Sequence, residues 1–258
     1  MVGRNYFGAV WGVAGGDLEI SKLKAQNSKP LERKIKIGVF DSGVGGRLIA
    51  DKLQILKNVK IIYLSDPEYF PYGDKAETVI QNRLLHFAGQ FKLKGCRIVV
   101  IACNSATTNG ITVLRNKFPE IVFVGIEPSV KPIAGITKTG KVAVIGSAAT
   151  IASGRIKRLQ GLFAHGVKFY NIACPGLAEY IEGFVNKNIK CSTTFYNDKK
   201  AEGLIRKFLD KPIADGVDVV GIACTHYPYL LPMMRKLYPK VKFYDPADAV
   251  VLQVKRML

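Results

Sequence analysis

Two stretches of this 258-residue chain read as copies of each other, and each ends at a cysteine. Gly95-Cys96-Arg97-Ile98-Val99-Val100-Ile101-Ala102-Cys103 runs into Asn104-Ser105, and Gly216-Val217-Asp218-Val219-Val220-Gly221-Ile222-Ala223-Cys224 runs into Thr225-His226. Short Val/Ile-rich runs of this kind mark strands buried on both faces of a parallel sheet. Ligands of open α/β sheets bind at the carboxyl ends of such strands. Two matched strand ends therefore predict one site with a thiol on either side.

The rest of the chain supports that frame. From Ile35 onward, strand signals at 35–40, 60–64, 97–102, 121–125, 141–146, 167–172, 217–222 and 241–244 alternate with longer amphipathic stretches. Val79, Leu84, Phe87 and Phe91 give residues 76–93 a helical spacing, and 105–117, 198–209 and 246–257 also read as helices. Alternation of this kind predicts parallel sheets covered by helices. The repeat reaches further: Lys36-Ile37-Gly38-Val39-Phe40-Asp41-Ser42 resembles Lys141-Val142-Ala143-Val144-Ile145-Gly146-Ser147, and Pro71-Tyr72-Gly73 sits where Cys174-Pro175-Gly176 sits in the second half. The predicted fold is α/β, with two similar parallel-sheet lobes related by a pseudo-twofold axis and a site in the cleft between them. The first lobe takes 35–128 plus 238–258, and the second takes 129–237. Chance likeness between Val-rich strands, or a single eight-stranded sheet, is the alternative. Residues 1–34, Gly-rich at Gly12 to Gly16 and then mixed in charge, read as a non-core leader or tag.

Composition narrows the class. At 48% hydrophobic and 22% charged residues the chain is globular, and no apolar run is long enough to span a bilayer. Its cysteines, Cys96, Cys103, Cys174, Cys191 and Cys224, form no C-x-x-C pair, and their odd number argues for a reducing compartment. His86, His165 and His226 are too scattered for a zinc motif. The formal charge of +18 suits an acidic metabolite or nucleic acid as a partner, or simply a lysine-rich surface, since the basic residues are spread along the whole chain.

A thiol on either side of a site suits a specific task. Inverting a carbon by proton transfer needs a base on one face and an acid on the other, and a thiolate and a thiol can exchange those roles on the reverse reaction. A thiolate needs a helix N-terminus or a cationic neighbour, and both Cys103 and Cys224 are expected just after a strand and just before a helix. Asp41 and His226 are placed to assist proton movement. Cys96 and Cys191 read as small apolar core residues. Phe40-Asp41-Ser42-Gly43-Val44-Gly45-Gly46 meets neither nucleotide-binding glycine pattern; its free amides suit a carboxylate, or it is an ordinary tight turn.

These motifs, together with Pro71-Tyr72-Gly73, Gly125-Ile126-Glu127-Pro128, Val144-Ile145-Gly146 through Thr150 to Ser153-Gly154, Cys174-Pro175 and Cys224-Thr225-His226-Tyr227-Pro228, resemble the glutamate-specific branch of the cofactor-independent aspartate/glutamate racemase superfamily. The resemblance covers about residues 35–258. It implies a catalytic pair, Cys103 and Cys224, working without a cofactor or metal, with Cys224 deprotonating the L-isomer and Cys103 the D-isomer. It implies substrate contacts at Asp41, Ser42, Tyr72, Gly73, Asn104, Ser105, Thr225 and His226. Glu182 corresponds to a family carboxylate near the site or is a solvated helix residue. The resemblance further implies a cytoplasmic homodimer that makes D-glutamate for peptidoglycan. Aspartate racemisation and a nucleic-acid or gyrase-binding role are the rivals. Ser105 stands where the family usually has threonine, and Pro67-Glu68-Tyr69-Phe70 is bulkier than the usual segment before Pro-Tyr-Gly.

Overall fold

A computed structural model describes residues 34–163, 166–187, 195 and 197–258. The expected leader, apart from the exposed Lys34, lies outside the described residues, as do His165 and Cys191. The elements run in the order β1 (Ile35–Asp41), α1 (Arg47–Leu53), β2 (Val59–Ser65), α2 (Glu77–Leu93), β3 (Ile98–Ile101), α3 (Asn104–Lys117), β4 (Val122–Gly125) and α4 (Val130–Ile136). They continue with β5 (Lys141–Gly146), α5 (Ala148–Ala152), α6 (Gly154–Phe163), β6 (Lys168–Ala173), α7 (Leu177–Lys187), α8 (Lys199–Ala214), β7 (Val219–Ala223), α9 (Leu231–Leu237), β8 (Lys242–Tyr244) and α10 (Ala247–Lys255).

The strands form two four-stranded parallel sheets, ordered β2-β1-β3-β4 and β6-β5-β7-β8. One topology is thus used twice, and β3 and β7, the strands that lead to the cysteines, take equivalent inner places. Every residue of β3 and β7 is buried, which explains their unbroken apolar runs. The edge strands β2 and β6 are only partly covered. Helices clothe the faces: Leu84, Phe87 and Phe91 of α2 pack with Phe40, Val99 and Ile101, while Ile181 of α7 and Ile205 and Leu209 of α8 pack with Ala143, Ile145 and Ile222.

One boundary differs from the sequence reading. The strand at 242–244, expected in the first lobe, pairs with β7 in the second sheet. The chain returns to the first sheet only at α10, whose Ala247, Val250 and Val254 share a core with Val39, Ile49 and Val124. The Asp245-Pro246 step explains the division, because proline ends the strand and opens the following helix.

Candidate active site

In each sheet the order of the strands reverses on either side of the first and third strands, so the crevice beyond their carboxyl ends is where a ligand fits. Asp41 is the last residue of β1 and is fully buried. Its Oδ1 accepts the Gly43 N–H at 2.8 Å, and its Oδ2 accepts the Thr225 hydroxyl at 2.8 Å, a bond from one half of the chain to the other. Burial pushes the Asp41 carboxyl above the usual carboxylate range, opposed by the nearby His226. Next to it, the Ser42 hydroxyl lies 3.5 Å from the sulfur of Cys103. Cys103 follows β3 and is the N-cap of α3. Burial, reinforced by the Asp41 charge, pushes its thiol up to about 12, although Ser42 and the Ala106 amide act the other way.

The second sheet supplies the opposite side. Cys224 follows β7 and is partly exposed. His226 is buried between two partners: its Nδ1 lies 3.9 Å from the Cys224 sulfur and its Nε2 lies 2.7 Å from Oε2 of Glu182. Burial disfavours its charge, yet hydrogen bonds to Cys224 and Glu182 carry the imidazole up to about 10. It is therefore an imidazolium at neutral pH, with both ring N–H groups donating. Glu182, from α7, also accepts the Val44 amide at 2.8 Å and the Asn186 side chain at 3.0 Å. Burial opposes its ionisation, but the bonds from His226 and Val44 hold its carboxyl below the ordinary value. It is a buried tie between the halves, not a solvated helix residue.

A polar rim completes the pocket. Ser42, Tyr72, Gly73, Cys103, Asn104, Ser105, Cys224, Thr225 and His226 all line it, so nine of the sequence-predicted residues meet around one space. Asp41 and Glu182 stand behind that surface, reaching it through Thr225 and His226. The side-chain oxygen and nitrogen of Asn104 are buried with no partner among the described residues. Such a group is costly unless something bonds to it, which marks it as waiting for a polar ligand. Among the described residues, no lysine or arginine lines the pocket. Among the described residues, no group of three or more His, Cys, Asp and Glu side chains is gathered as a metal ion would require.

Three expectations need correction. Cys224 does not precede an α-helix directly: a 3-10 turn at Tyr227–Leu230 intervenes, with Pro228 in its first positions, and α9 starts only at Leu231. The positive neighbour of Cys224 is the His226 imidazolium instead. The amides of the glycine loop are not all free for a ligand, because Gly43 and Val44 already donate to Asp41 and Glu182. The Cys103 thiol is raised, not lowered, despite its place at a helix N-terminus, because burial outweighs the helix amides.

Sequence reasoning also passed over several residues that shape the pocket. Ser147 and Thr150 reach the Ser105 hydroxyl at 3.1 and 3.2 Å from the second half. A signal for Ser147 existed, since the repeat aligns it with Ser42. Phe70, by contrast, belongs to the bulkier segment already singled out in the sequence; it lines the pocket and lies against His226, with ring centroids 5.1 Å apart. The hydroxyl of Tyr63 bonds the Gly43 carbonyl, and that of Tyr229 bonds the Val44 carbonyl at 3.3 Å.

Comparison with known proteins agrees with this geometry. The sequence profile of the Asp/Glu/hydantoin racemase family matches residues 50–254. A glutamate racemase of Pseudomonas syringae pv. tomato is 36% identical over 224 residues, covering 86% of this chain and 78% of that protein. The crystal structure of Escherichia coli glutamate racemase, in complex with L-glutamate and the activator UDP-MurNAc-Ala, superposes with a TM-score of 0.75 at 25% identity, covering 86% of this chain and 81% of that one. A glutamate racemase isoform from Bacillus anthracis gives 0.73 at 27% identity, over 88% and 82% of the two chains. With two parallel-sheet lobes, a pocket between paired strand ends and this breadth of likeness, the chain belongs to the Asp/Glu/hydantoin racemase family of amino-acid racemases.

Proposed function

We propose that the protein interconverts L- and D-glutamate by proton transfer between Cys103 and Cys224. The observation that carries this reading is the pair of thiols at equivalent strand ends of two like sheets, both lining one pocket. In the L-to-D direction Cys224 is the base. The His226 imidazolium, 3.9 Å from its sulfur, supplies the cationic neighbour that a thiolate requires. The Cα–H bond breaks, its proton passes to Cys224, and the electron pair stays on the α-carbon. Cys103, held as a thiol by burial, then gives its S–H proton to the opposite face. The enzyme is left with Cys224 protonated and Cys103 ionised, the state that the D-isomer needs. The desolvated ammonium of the substrate supplies the positive charge that offsets a Cys103 thiolate.

The substrate carboxylates find their donors in the unpartnered Asn104 amide, the Ser42, Ser105 and Thr225 hydroxyls, and the Tyr72-Gly73 segment. Neutral donors let both carboxylates bind without an arginine to quench the thiolates. Asp41 and Glu182 act through Thr225 and His226, and Glu182 keeps the imidazole charged. The relatives at about this identity are glutamate racemases, which favours glutamate over aspartate. On the same reading the enzyme works as a cytoplasmic homodimer and supplies D-glutamate for peptidoglycan.

The test is proton NMR of the reduced protein with L-glutamate in D2O, with no cofactor added, and with L-aspartate in parallel. Deuterium at Cα together with formation of D-glutamate is the expected outcome. Faster exchange with aspartate would transfer the assignment to that substrate. Absence of exchange with both would end the racemase reading for this chain.

A further inference from the structure

The segment from Asp66 to Gly73 supplies one wall of the pocket through Phe70, Pro71, Tyr72 and Gly73. This wall is held from behind at a single buried carboxylate. The Asp66 N–H donates to the Asp41 carbonyl at 3.2 Å, which ties the segment to the end of β1. Its side chain is only 2% exposed and receives three hydrogen bonds. Arg83 of α2 donates Nε to Oδ2 and Nη2 to Oδ1, both at 2.8 Å, and the Tyr72 hydroxyl donates to Oδ2 at 2.7 Å. The same guanidinium covers the Tyr69 ring, 4.1 Å from its centroid.

A two-pronged fork fixes both oxygens of a carboxylate and so fixes its rotation. Tyr72 then has an acceptor at one position only. On the far side the wall presses against the second lobe. Phe70 meets His226, and a Cβ on Gly73 would stand 2.8 Å from that of Ser147. The wall is thus set between a rigid clamp and the opposite half of the site. Arg83 itself does not line the pocket.

We infer that Arg83 is a positioning residue for racemisation: through Asp66 it sets the place of Tyr72, Gly73 and Phe70 against the bound amino acid. This rests on the glutamate reading above. Contacts from this wall are made to the bound substrate before and during proton transfer alike, so their loss weakens binding more than turnover.

Arg83→Lys keeps the charge without the fork, and Arg83→Ala removes both. Each is assayed with glutamate well below its own Tm, beside the parent protein. The expected result is a KM raised about tenfold in Arg83→Lys and further in Arg83→Ala, with kcat lowered less than about threefold. Guanidinium ion added to Arg83→Ala should lower KM again, and equal sodium chloride should not. Variants with a reduced Tm but with parental KM and kcat, and no response to guanidinium, would overturn the inference while leaving the racemase reading intact. A parent protein inert toward glutamate would remove both.

Discussion

The two thiols meet unlike surroundings. Cys103 is buried and pushed up to about 12, whereas Cys224 is partly exposed beside a charged imidazole. Iodoacetamide should therefore label Cys224 well ahead of Cys103, Cys96 and Cys174, as read by peptide mass spectrometry, and glutamate should protect it. Cys103→Ser or Cys224→Ser should each lower racemisation by about 10³-fold or more, because each removes one of the two proton carriers. The His226–Glu182 pair also leaves a mark on stability. A histidine whose folded pKa is raised to about 10 stabilises fully below its unfolded value near 6.5 and loses that contribution as pH climbs toward 10. Glu182, held low, contributes above its unfolded value and loses that as the solution is acidified. In Glu182→Gln the decline of Tm between pH 6.5 and 10 should flatten. Residues that follow a strand in a repeated motif, such as Cys103, Asn104, Cys224 and Thr225, could be located around one pocket from sequence alone. Arg83, Tyr63 and Tyr229 could not, since each acts on a carboxylate or carbonyl brought near only by the fold.

The loop between β1 and α1 is squeezed between the halves. A Cβ on Gly45 would stand 2.7 Å from the Thr225 carbonyl carbon and 2.5 Å from its hydroxyl oxygen. Gly45→Ala must push this loop off the second lobe, and should cost about 10²-fold in activity while far-UV circular dichroism stays unchanged. Asp198 offers a contrast far from the chemistry. It caps α8 by accepting the Lys200 and Ala201 amides at 2.9 and 3.0 Å. Asp198→Ala should lose about 1 kcal/mol in urea unfolding and leave kcat and KM unaltered. At this scale the eight strands were legible to within two residues, because buried parallel strands are short, Val-rich and sharply bounded. The small helices α1, α4, α5 and α9 were not, since five to seven residues are too few to display a helical period. Helix α8 outran its expected end at 209 and continues through Pro212, whose missing N–H forfeits one bond near the last turn.

At the scale of the whole molecule, a charge of +18 predicts weak, sequence-blind retention of DNA at about 50 mM salt that disappears by about 200 mM in a mobility-shift assay. Persistence at the higher salt would point to a dedicated nucleic-acid surface. The doubled architecture was visible in the repeat, but where the chain crosses back was not, because β8 is a three-residue edge strand whose sheet is decided by its neighbour β7. The repetition of one strand order carries a further consequence. Enantiomers are mirror images, yet a chain of L-residues can repeat a shape only by rotation, never by reflection. Two rotated copies can offer a thiol to each face of a carbon, but they cannot present mirror-related surroundings to the two hands of the substrate. Under the proposed reaction, the equilibrium constant of unity forces kcat/KM to be equal in both directions. The separate kcat and KM values carry no such constraint, and with Ser42 beside one sulfur and an imidazolium beside the other, they should differ between the L- and D-isomers.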